Sequence, residues 1–417
     1  MILVGLALCL LALLGAPLFT VIAASAMWGF HRAGIDLSVM AIEVFGLAEV
    51  PILLAIPLFT FAGYLLSESG APRRLVRLSD ALLGWMPGGL AMISLAACAL
   101  FTAFTGASGV TIIALGALLY PALKEAGYPD GFNLGLVTSS GSLGLLFAPS
   151  LPLILYGVVA KLPIDDLFVA GLLPGLLMVV MLAAYCFWTN RNNRRTSRGS
   201  WAEVRAALWE AKWELPLPVV VLGGVYSGYF AVSEAAAVTA IYVLIIDLFA
   251  LREVSIRDLP RIMRESMVLV GALLIILGTS LASTNYMIDA GVPEKLFGLV
   301  EDLVHDRSVF LLALLVFLLA LGAVLDIFAA IVLVVPLILP VAMLYDVHPL
   351  HLGIVFLATM QLGYLTPPVG LNLFIASHRF DKPILEVYVA TLPFFAILLM
   401  AVAVIAFWPS LSLVLLD

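Results

Sequence analysis

Long apolar stretches, punctuated by Gly, Ser, Thr and Pro, run along almost the whole chain. Those near 2–29, 51–66, 132–160, 167–188, 215–232, 236–250, 266–289, 351–378 and 386–409 approach or exceed the roughly 20 residues a helix needs to cross a bilayer. The pattern predicts nine crossings. Segments 89–123 and 308–345 read differently, each as two short arms around a polar or Gly-rich tip. They are expected to be re-entrant hairpins that enter and leave on one face. Transmembrane strands would alternate in polarity over about 10 residues, and no such alternation is seen. Lipid offers the backbone no hydrogen-bond partners, so an all-α polytopic membrane bundle follows.

The punctuation occurs twice. Gly144 and Pro149 recur 219 residues later as Gly363 and Pro368. Pro121 recurs as Pro340, and Leu173-Pro174 as Leu392-Pro393. Near the start of each copy the offset is 221, where Gly70, Pro72 and Leu75 match Gly291, Pro293 and Leu296. The predicted organisation is an N-terminal span and interfacial segment over 1–50 and a first repeat over 51–188. Within it lie the hairpin 89–123 and a broken helix 132–160. A central scaffold with cytoplasmic arms covers 189–265. The second repeat covers 266–409, with hairpin 308–345 and broken helix 351–378.

Charge orients the threading. It places sixteen of the 20 Lys and Arg residues on one side, including Arg73, Arg74, Arg77, Lys124, Arg194, Arg195 and Arg198. Only Arg32, Lys161, Lys295 and Arg307 fall on the other. Basic loops favour the cytoplasm. The first copy's GAPRRLVR loop is then inside and the second copy's GVPEKLFGLVEDLVHD loop outside, so the repeats run in opposite directions. Inverted repeats with paired broken segments point to an ion and substrate site at their interface. A duplication kept only for packing is the bland alternative.

Composition agrees: 64% of residues are hydrophobic, 11% charged, and the mean hydropathy is +1.17. A soluble fold cannot hide that much apolar surface. The net charge of −7, with no basic run interleaved with aromatics, argues against nucleic acid. Cys9, Cys98 and Cys186 lack metal-ligand spacing and read as small core residues. The absence of Lys or Arg before Arg32 makes a poor signal peptide and favours a retained first span. No phosphate loop is present, so no ATP hydrolysis and no cofactor are expected.

The breaks carry the candidate chemistry. At the first tip, glycines free the backbone, and Thr105, Ser108 and Thr111 supply hard oxygens suited to a small cation. The partner segment 139–144 runs into Pro149 and Pro152, which interrupt the helix. Half-helix N-termini there attract anions, so a cation and a carboxylate could sit side by side. A single Ser or Thr more often back-bonds to its own helix; the clustering at matching places favours a site. In the second copy Asp326 is the one carboxylate this threading places deep in the bilayer. It could bind Na⁺, titrate, or simply bond a helix end. Asn372 is a candidate carbonyl ligand or amide donor.

These residues are similar to a known family. Leu54 to Phe59, Gly63, Arg73-Arg74-Leu75, Pro87 to Ala91, Gly106 to Gly116, Gly127-Tyr128, Ser139 to Gly141, Pro149-Ser150, Tyr156-Gly157, Gly171 and Pro174-Gly175 carry the resemblance in the first half. In the second half Thr366-Pro367-Pro368-Val369-Gly370-Leu371-Asn372 is highly specific. Nearly end to end, the chain resembles the large membrane subunit of the tripartite ATP-independent periplasmic (TRAP) transporters, within the ion-transporter superfamily. The resemblance implies import of an organic anion, usually a carboxylate such as a C4-dicarboxylate or sugar acid. It implies Na⁺ as coupling ion, delivery by a periplasmic substrate-binding protein, and a small four-helix membrane subunit. With no extra N-terminal bundle, the chain resembles the unfused form, so the small subunit is expected on a separate chain. An elevator-type movement and a bacterial inner-membrane location are implied likewise.

The candidate ion-binding set is Thr105, Gly106, Ser108, Ser139, Ser140, Gly141, Gly322, Asp326, Thr366 and Pro367. The candidate substrate-binding set is Thr111, Ser150, Gly370 and Asn372. A second serine is usual in the family where Ala107 stands, and a second proline where Ala148 stands. Two Na⁺ moving down 100 mV would supply about 4.6 kcal/mol, enough to matter for coupling.

Three other readings stay open on sequence. Gly106-Ala107-Ser108-Gly109 fits a serine-protease motif, but the five histidines sit at predicted membrane edges, away from it. A stand-alone Na⁺ or H⁺/carboxylate symporter of the same superfamily is nearer. A channel is the third. Trp201, Trp209 and Trp213 are expected on one face of an interfacial arm that rests on lipid headgroups, or docks a partner.

Overall fold

The computed structural model describes residues 7–8, 10–11, 14–83, 88–191, 201–301, 304 and 306–416. Cys9, Pro87, Arg194, Arg195, Arg198, His305 and the start of the first expected span lie outside the described residues. Among the described residues every regular element is a helix. The first two, α1 (Leu18–Ala33) and α2 (Ser38–Gly46), lie on the long α14 described below.

Two series then follow. The first is α3 (Ala55–Glu68), α4 (Ala71–Leu83), α5 (Gly89–Thr105), α6 (Ser108–Ala114), α7 (Gly116–Glu125), α8 (Asp130–Ser140), α9 (Leu151–Ala160) and α10 (Ile164–Thr189). A central group holds α11 (Trp201–Glu210), α12 (Pro216–Tyr226) and α13 (Val232–Ile245), which ends in a π turn over Ile246–Ala250. The second series is α14 (Leu259–Asp289), α15 (Val292–Glu301), α16 (Arg307–Gly322), α17 (Ile327–Leu344), α18 (Pro349–Gly363), α19 (Leu371–Phe380) and α20 (Ile384–Phe407), closed by a hook, α21 (Ser410–Leu413). Adding 219 to the first residues of α5, α6, α8, α9 and α10 gives those of α16, α17, α18, α19 and α20 to within one. The duplicated punctuation is therefore a duplicated element order.

Gly and Pro place the boundaries. Gly106 takes φ +64 between α5 and α6, and Gly370 takes φ +56 at the start of α19. Both are left-handed conformations that favour glycine. Pro152 and Pro349 stand in the first turns of α9 and α18, where a missing N–H costs nothing.

Among the described residues six helices are long and apolar enough to cross a membrane: 51–68, 164–189, 232–250, 259–289, 327–344 and 384–407. Segments 130–146 and 151–160, bent by 43°, would make a seventh span together. Among the described residues, then, six or seven spans stand where nine single crossings were expected. The stretch 215–232 holds only the 11-residue α12, because Gly228 at φ +72 ends it early. The stretch 351–378 is two helices separated by residues 364–370. The return arm of the second hairpin is not short: α17 runs 18 residues through Pro336 and Pro340. Its counterpart in the first repeat is split at Leu115 into α6 and α7.

The core is interlaced. The strongest neighbour of α8 is α20, that of α9 is α17, and that of α19 is α6, so these halves of the broken helices pack on the other series, whereas α18 lies chiefly on its own hairpin arm, α16. Glycines allow this. A Cβ on Gly135 of α8 would lie 2.1 Å from Ala390 O of α20, and one on Gly353 of α18 2.5 Å from the Tyr156 ring of α9.

The first arm, α4, is clamped to the central group. Arg74 Nη2 lies 2.6 Å from Glu214 Oε1 and Arg74 also pairs with Glu253. Glu253 Oε2 accepts the Gly70 N–H at 2.8 Å. Burial alone would raise the Glu253 carboxyl, but these donors and the Arg74 charge hold it below the ordinary value of 4.5. Buried Asp247 of the π turn feels Glu253, Arg74 and Glu214 and has one oxygen without a partner. Among the described residues of the second arm, α15, Lys295 Nζ donates to Ala290 O, at the end of the preceding helix, at 2.8 Å.

On the central group, Trp201 and Trp209 of α11 are exposed, with Lys212 4.1 Å over the Trp209 ring. Trp213 lies past the end of α11, and its carbonyl accepts from Tyr242 Oη at 2.9 Å. Lys212 Nζ also lies 5.2 Å from the Trp213 ring, so the cation sits by both Trp209 and Trp213.

Candidate functional site

Each hairpin crosses a break at a point where no side chain fits. A Cβ on Gly144 would lie 2.2 Å from Ala99 O and 2.5 Å from Ala103 N of α5. A Cβ on Gly363 would lie 2.6 Å from Gly322 Cα of α16. Gly144 and Gly363 are equivalent in the repeat, as are Ala103 and Gly322. These two crossings place the candidate residues.

At the first crossing, Thr102 Oγ1 of α5 lies 2.7 Å from Thr111 Oγ1 of α6 and 2.9 Å from the carbonyl of Gly141, where α8 ends. Gly141 also faces the Ser108 carbonyl, which an added Cβ would approach to 3.3 Å. Thr105 and Ser139 are fully buried, and neither hydroxyl has a hydrogen-bond partner. Ser140 Oγ donates to Val137 O at 3.3 Å. The structure therefore gathers Thr105, Gly106, Ser108, Thr111, Ser139, Ser140 and Gly141 around one break. Ser150 sits one short stretch further, at the start of α9, where its hydroxyl turns back to Leu145 O at 2.6 Å.

At the second crossing the tip is made of backbone. Ala323 O accepts both Val369 N–H and Gly370 N–H at 3.2 Å. Tyr364 Oη accepts Ile327 N–H at 2.7 Å. Asp326 lies exposed at the protein surface, not buried within it. Its Oδ1 caps α17 by accepting from Phe328 N and Ala329 N at 2.9 and 3.1 Å. This is the helix-end bond weighed above as one alternative. Thr366 Oγ1 donates to Leu362 O at 3.3 Å, and Pro367 is exposed. The peptides Ala148–Pro149 and Pro367–Pro368, at equivalent places, are both cis.

Asn372 joins the crossings. Its Nδ2 lies 3.5 Å from Thr138 O of α8, while its Oδ1 is buried without a partner. A second tie lies at the far end of α8, where Lys382 Nζ meets Asp130 Oδ2 at 2.7 Å and Tyr120 Oη donates to Asp130 Oδ1 at 2.7 Å.

A buried hydroxyl or amide oxygen without a donor costs about 1–3 kcal/mol. Thr105 Oγ1, Ser139 Oγ and Asn372 Oδ1 are three such atoms, at residues chosen on sequence. Uncharged oxygens of this kind suit an alkali cation. The N-termini of α9 and α19, opened by the breaks, present N–H groups and a positive dipole end suited to an anion. Among the described residues no three His, Cys, Asp or Glu side chains converge as a metal site. His351 is buried against Ser412 and Ala406 O. Sequence reasoning missed Thr102, whose only signal was its place one helical turn before Thr105.

Residues 3–411 match the family model described as tripartite ATP-independent periplasmic transporter, DctM component. The chain is 34% identical over 378 residues to the C4-dicarboxylate TRAP transporter large permease protein DctM of Pseudomonas aeruginosa, covering 90% of this chain and 88% of that one. It is 31% identical over 414 residues to the ectoine/5-hydroxyectoine TRAP transporter large permease protein UehC of Ruegeria pomeroyi, covering 98% and 96%. It is 35% identical over 369 residues to the isethionate TRAP transporter permease protein DctMQ of Oleidesulfovibrio alaskensis. That match covers 87% of this chain, which spans only 57% of that relative's length. In fold, the chain is similar to the crystal structure of the Alcanivorax borkumensis YdaH transporter. The TM-score is 0.62 at 14% identity, over 89% of this chain and 87% of that one.

Proposed function

Because the chain belongs to the family of DctM components of tripartite ATP-independent periplasmic transporters, a family of permease subunits and not of enzymes, we propose that it imports an organic anion coupled to Na⁺. In this reading a periplasmic binding protein delivers the solute, a small membrane subunit completes the complex, and the complex sits in the bacterial inner membrane. Relatives carry names that differ in solute, so the proposal is for the class and not for one member.

One observation carries it. Three buried oxygens, on Thr105, Ser139 and Asn372, stand without donors where two broken helices meet. Na⁺ bound to oxygens of this set satisfies them and places positive charge beside the N-termini of α9 and α19. The anion then binds where the cation and the helix dipoles act together. Neither binds as well alone, because each desolvated charge needs the other. Binding both makes the moving unit nearly neutral, which lowers the cost of carrying it through lipid. The interlaced α6, α8, α9, α17, α18 and α19 form that unit in an elevator-type movement.

Uptake by purified transporter in liposomes, with the matching binding protein, tests the reading when Na⁺ and pH are varied separately. Saturable uptake that rises with a Na⁺ gradient and requires the binding protein is expected. Uptake without the binding protein favours the stand-alone symporter. Uptake that follows pH and ignores Na⁺ ends the sodium assignment.

A further inference from the structure

Thr102 belongs to neither candidate set, yet its side chain touches more of the first crossing than any residue that does. Its Oγ1 has three oxygen neighbours: Cys98 O at 2.8 Å, Thr111 Oγ1 at 2.7 Å and Gly141 O at 2.9 Å. The residue is fully buried.

Proton counting decides which contacts are hydrogen bonds. Thr102 has one hydroxyl proton and three oxygen neighbours. Cys98 O lies four residues back in α5 and already receives the Thr102 backbone N–H, as in any α-helix. Gly141 O is different. It stands at the end of α8, where carbonyls lose their helical donors. Thr102 is the donor the structure provides for it. The proton is therefore best used across the crossing, on Gly141 O. Thr111 then donates its own proton to Thr102 Oγ1, since its other acceptor, Ala107 O, is distant at 3.5 Å. The result is a directed relay, Thr111 to Thr102 to Gly141, through α6, α5 and the end of α8.

Two consequences follow for the oxygens left over. The relay holds the end of α8 to the hairpin at a fixed spacing. That spacing sets how far Ser139, two residues before Gly141, stands from Thr105, one turn after Thr102. Both carry the donorless buried hydroxyls. The relay also commits the Thr111 proton inward, leaving its lone pairs unshared.

We propose that Thr102 is a positioning residue of the cation site: it touches no ion itself but fixes the spacing of the oxygens that do. The inference rests on the sodium-coupled reading above and deepens it. Repeat symmetry shows why the device is local. The residue 219 positions later is Leu321, which has no hydroxyl, so the second crossing is spaced by backbone bonds to Ala323 O instead.

The test compares Na⁺ dependence in wild type, Thr102→Ser, Thr102→Val and Thr111→Val. Two readouts are used: the half-saturating Na⁺ for uptake, and the Na⁺ concentration that raises the melting temperature of purified transporter without solute. Thr102→Val keeps the shape and removes the proton and acceptor. It is expected to need roughly tenfold more Na⁺ in both readouts, the effect of losing one buried hydrogen bond between neutral groups, with maximal uptake little changed. Thr102→Ser restores the hydroxyl and stays within about twofold of wild type, matching one retained bond. Thr111→Val shifts the same way, and adding it to Thr102→Val gives little more, because a relay broken once is broken.

Wild-type Na⁺ midpoints in Thr102→Val, beside a Na⁺-dependent wild type, overturn the inference and leave the transport reading standing. A lower melting temperature in Thr102→Val with an unmoved Na⁺ midpoint also overturns it, reducing Thr102 to a packing residue. A wild type indifferent to Na⁺ in both readouts removes the sodium reading itself, and the positioning role with it. Should Thr102→Val fail to accumulate, Thr111→Val decides alone: a wild-type midpoint there contradicts the relay.

Discussion

The two crossings share a backbone and differ in what fills it. In the first, Gly144 lies on Ala99, Thr102 and Ala103, and Thr102 in turn meets the Thr111 hydroxyl and the Gly141 carbonyl; Thr105, Ser139 and Ser140 on the same segments are fully buried. In the second, Gly363 lies on Gly322, and the space is closed by main-chain bonds to Ala323 O and by Tyr364. The residue that begins the return arm is Ala107 in one and Asp326 in the other, at equivalent positions. Duplication preserved a crossing geometry, which only glycine permits, and left the ligands free to diverge. The arms diverge too. The first is clamped by the Arg74 cluster, while in the second, α15, the described residues include a tie from Lys295 to a main-chain carbonyl.

The comparison can be broken first at the arms. Arg74→Ala leaves the carboxylate of Glu214, which is only 6% exposed, without its partner. A loss of about 3–5 kcal/mol is expected, as for other broken buried pairs. Lys295→Ala on the exposed second arm is expected to cost less than about 1 kcal/mol. Melting of the purified variants in detergent ranks the two. Equal losses would mean that the arms are held alike.

The crossings come next. Gly144→Ala drives a Cβ onto main-chain atoms of α5, and overpacking of this kind costs about 1–3 kcal/mol. Gly363→Ala meets Gly322 at 2.6 Å instead of a carbonyl at 2.2 Å and is expected to cost less. Gly223→Ala, with nothing within 4 Å, serves as the control in the same melting series.

Asp326 sharpens the contrast at smaller amplitude. Asp326→Ala removes the cap of α17, worth about 1 kcal/mol, whereas Asp326→Asn keeps the cap and removes the charge. A carboxylate that only caps predicts full uptake in Asp326→Asn. A carboxylate that serves the cation predicts reduced Na⁺-driven uptake in a protein that melts like wild type.

The smallest effect is on pH dependence. The Glu253 carboxyl is held below 4.5 in the folded protein, so its contribution is complete above that value and fades as pH falls through the lower folded one. Arg74→Ala removes the principal donor and should flatten that acid limb of the stability curve.

Much of this was legible in the chain. Glycines and prolines that no other residue can replace mark the breaks, and they recur at a constant offset, so the repeat could be read directly. Thr105 and Ser139 were legible because hydroxyls cluster beside those glycines. Thr102 was not, because a lone threonine inside a helix reads as a back-bond to the preceding turn, and only the packed structure shows its second acceptor. The exposure of Asp326 was hidden too, since a carboxylate amid apolar residues looks buried until the tip's path is known. The tie from Asn372 to Thr138 and the clamp of Arg74 on Glu214 join residues far apart in sequence, where no local pattern reports a partner.

The interlacing of the two series constrains how the molecule can be made. Because α8 finds its main neighbour in α20 and α9 in α17, the early half leaves the ribosome with apolar faces whose partners do not yet exist. It must wait, incomplete, until the last helices arrive. Cut into two polypeptides between α10 and α11, the halves should therefore persist in the cell when synthesised together and be degraded when either is synthesised alone.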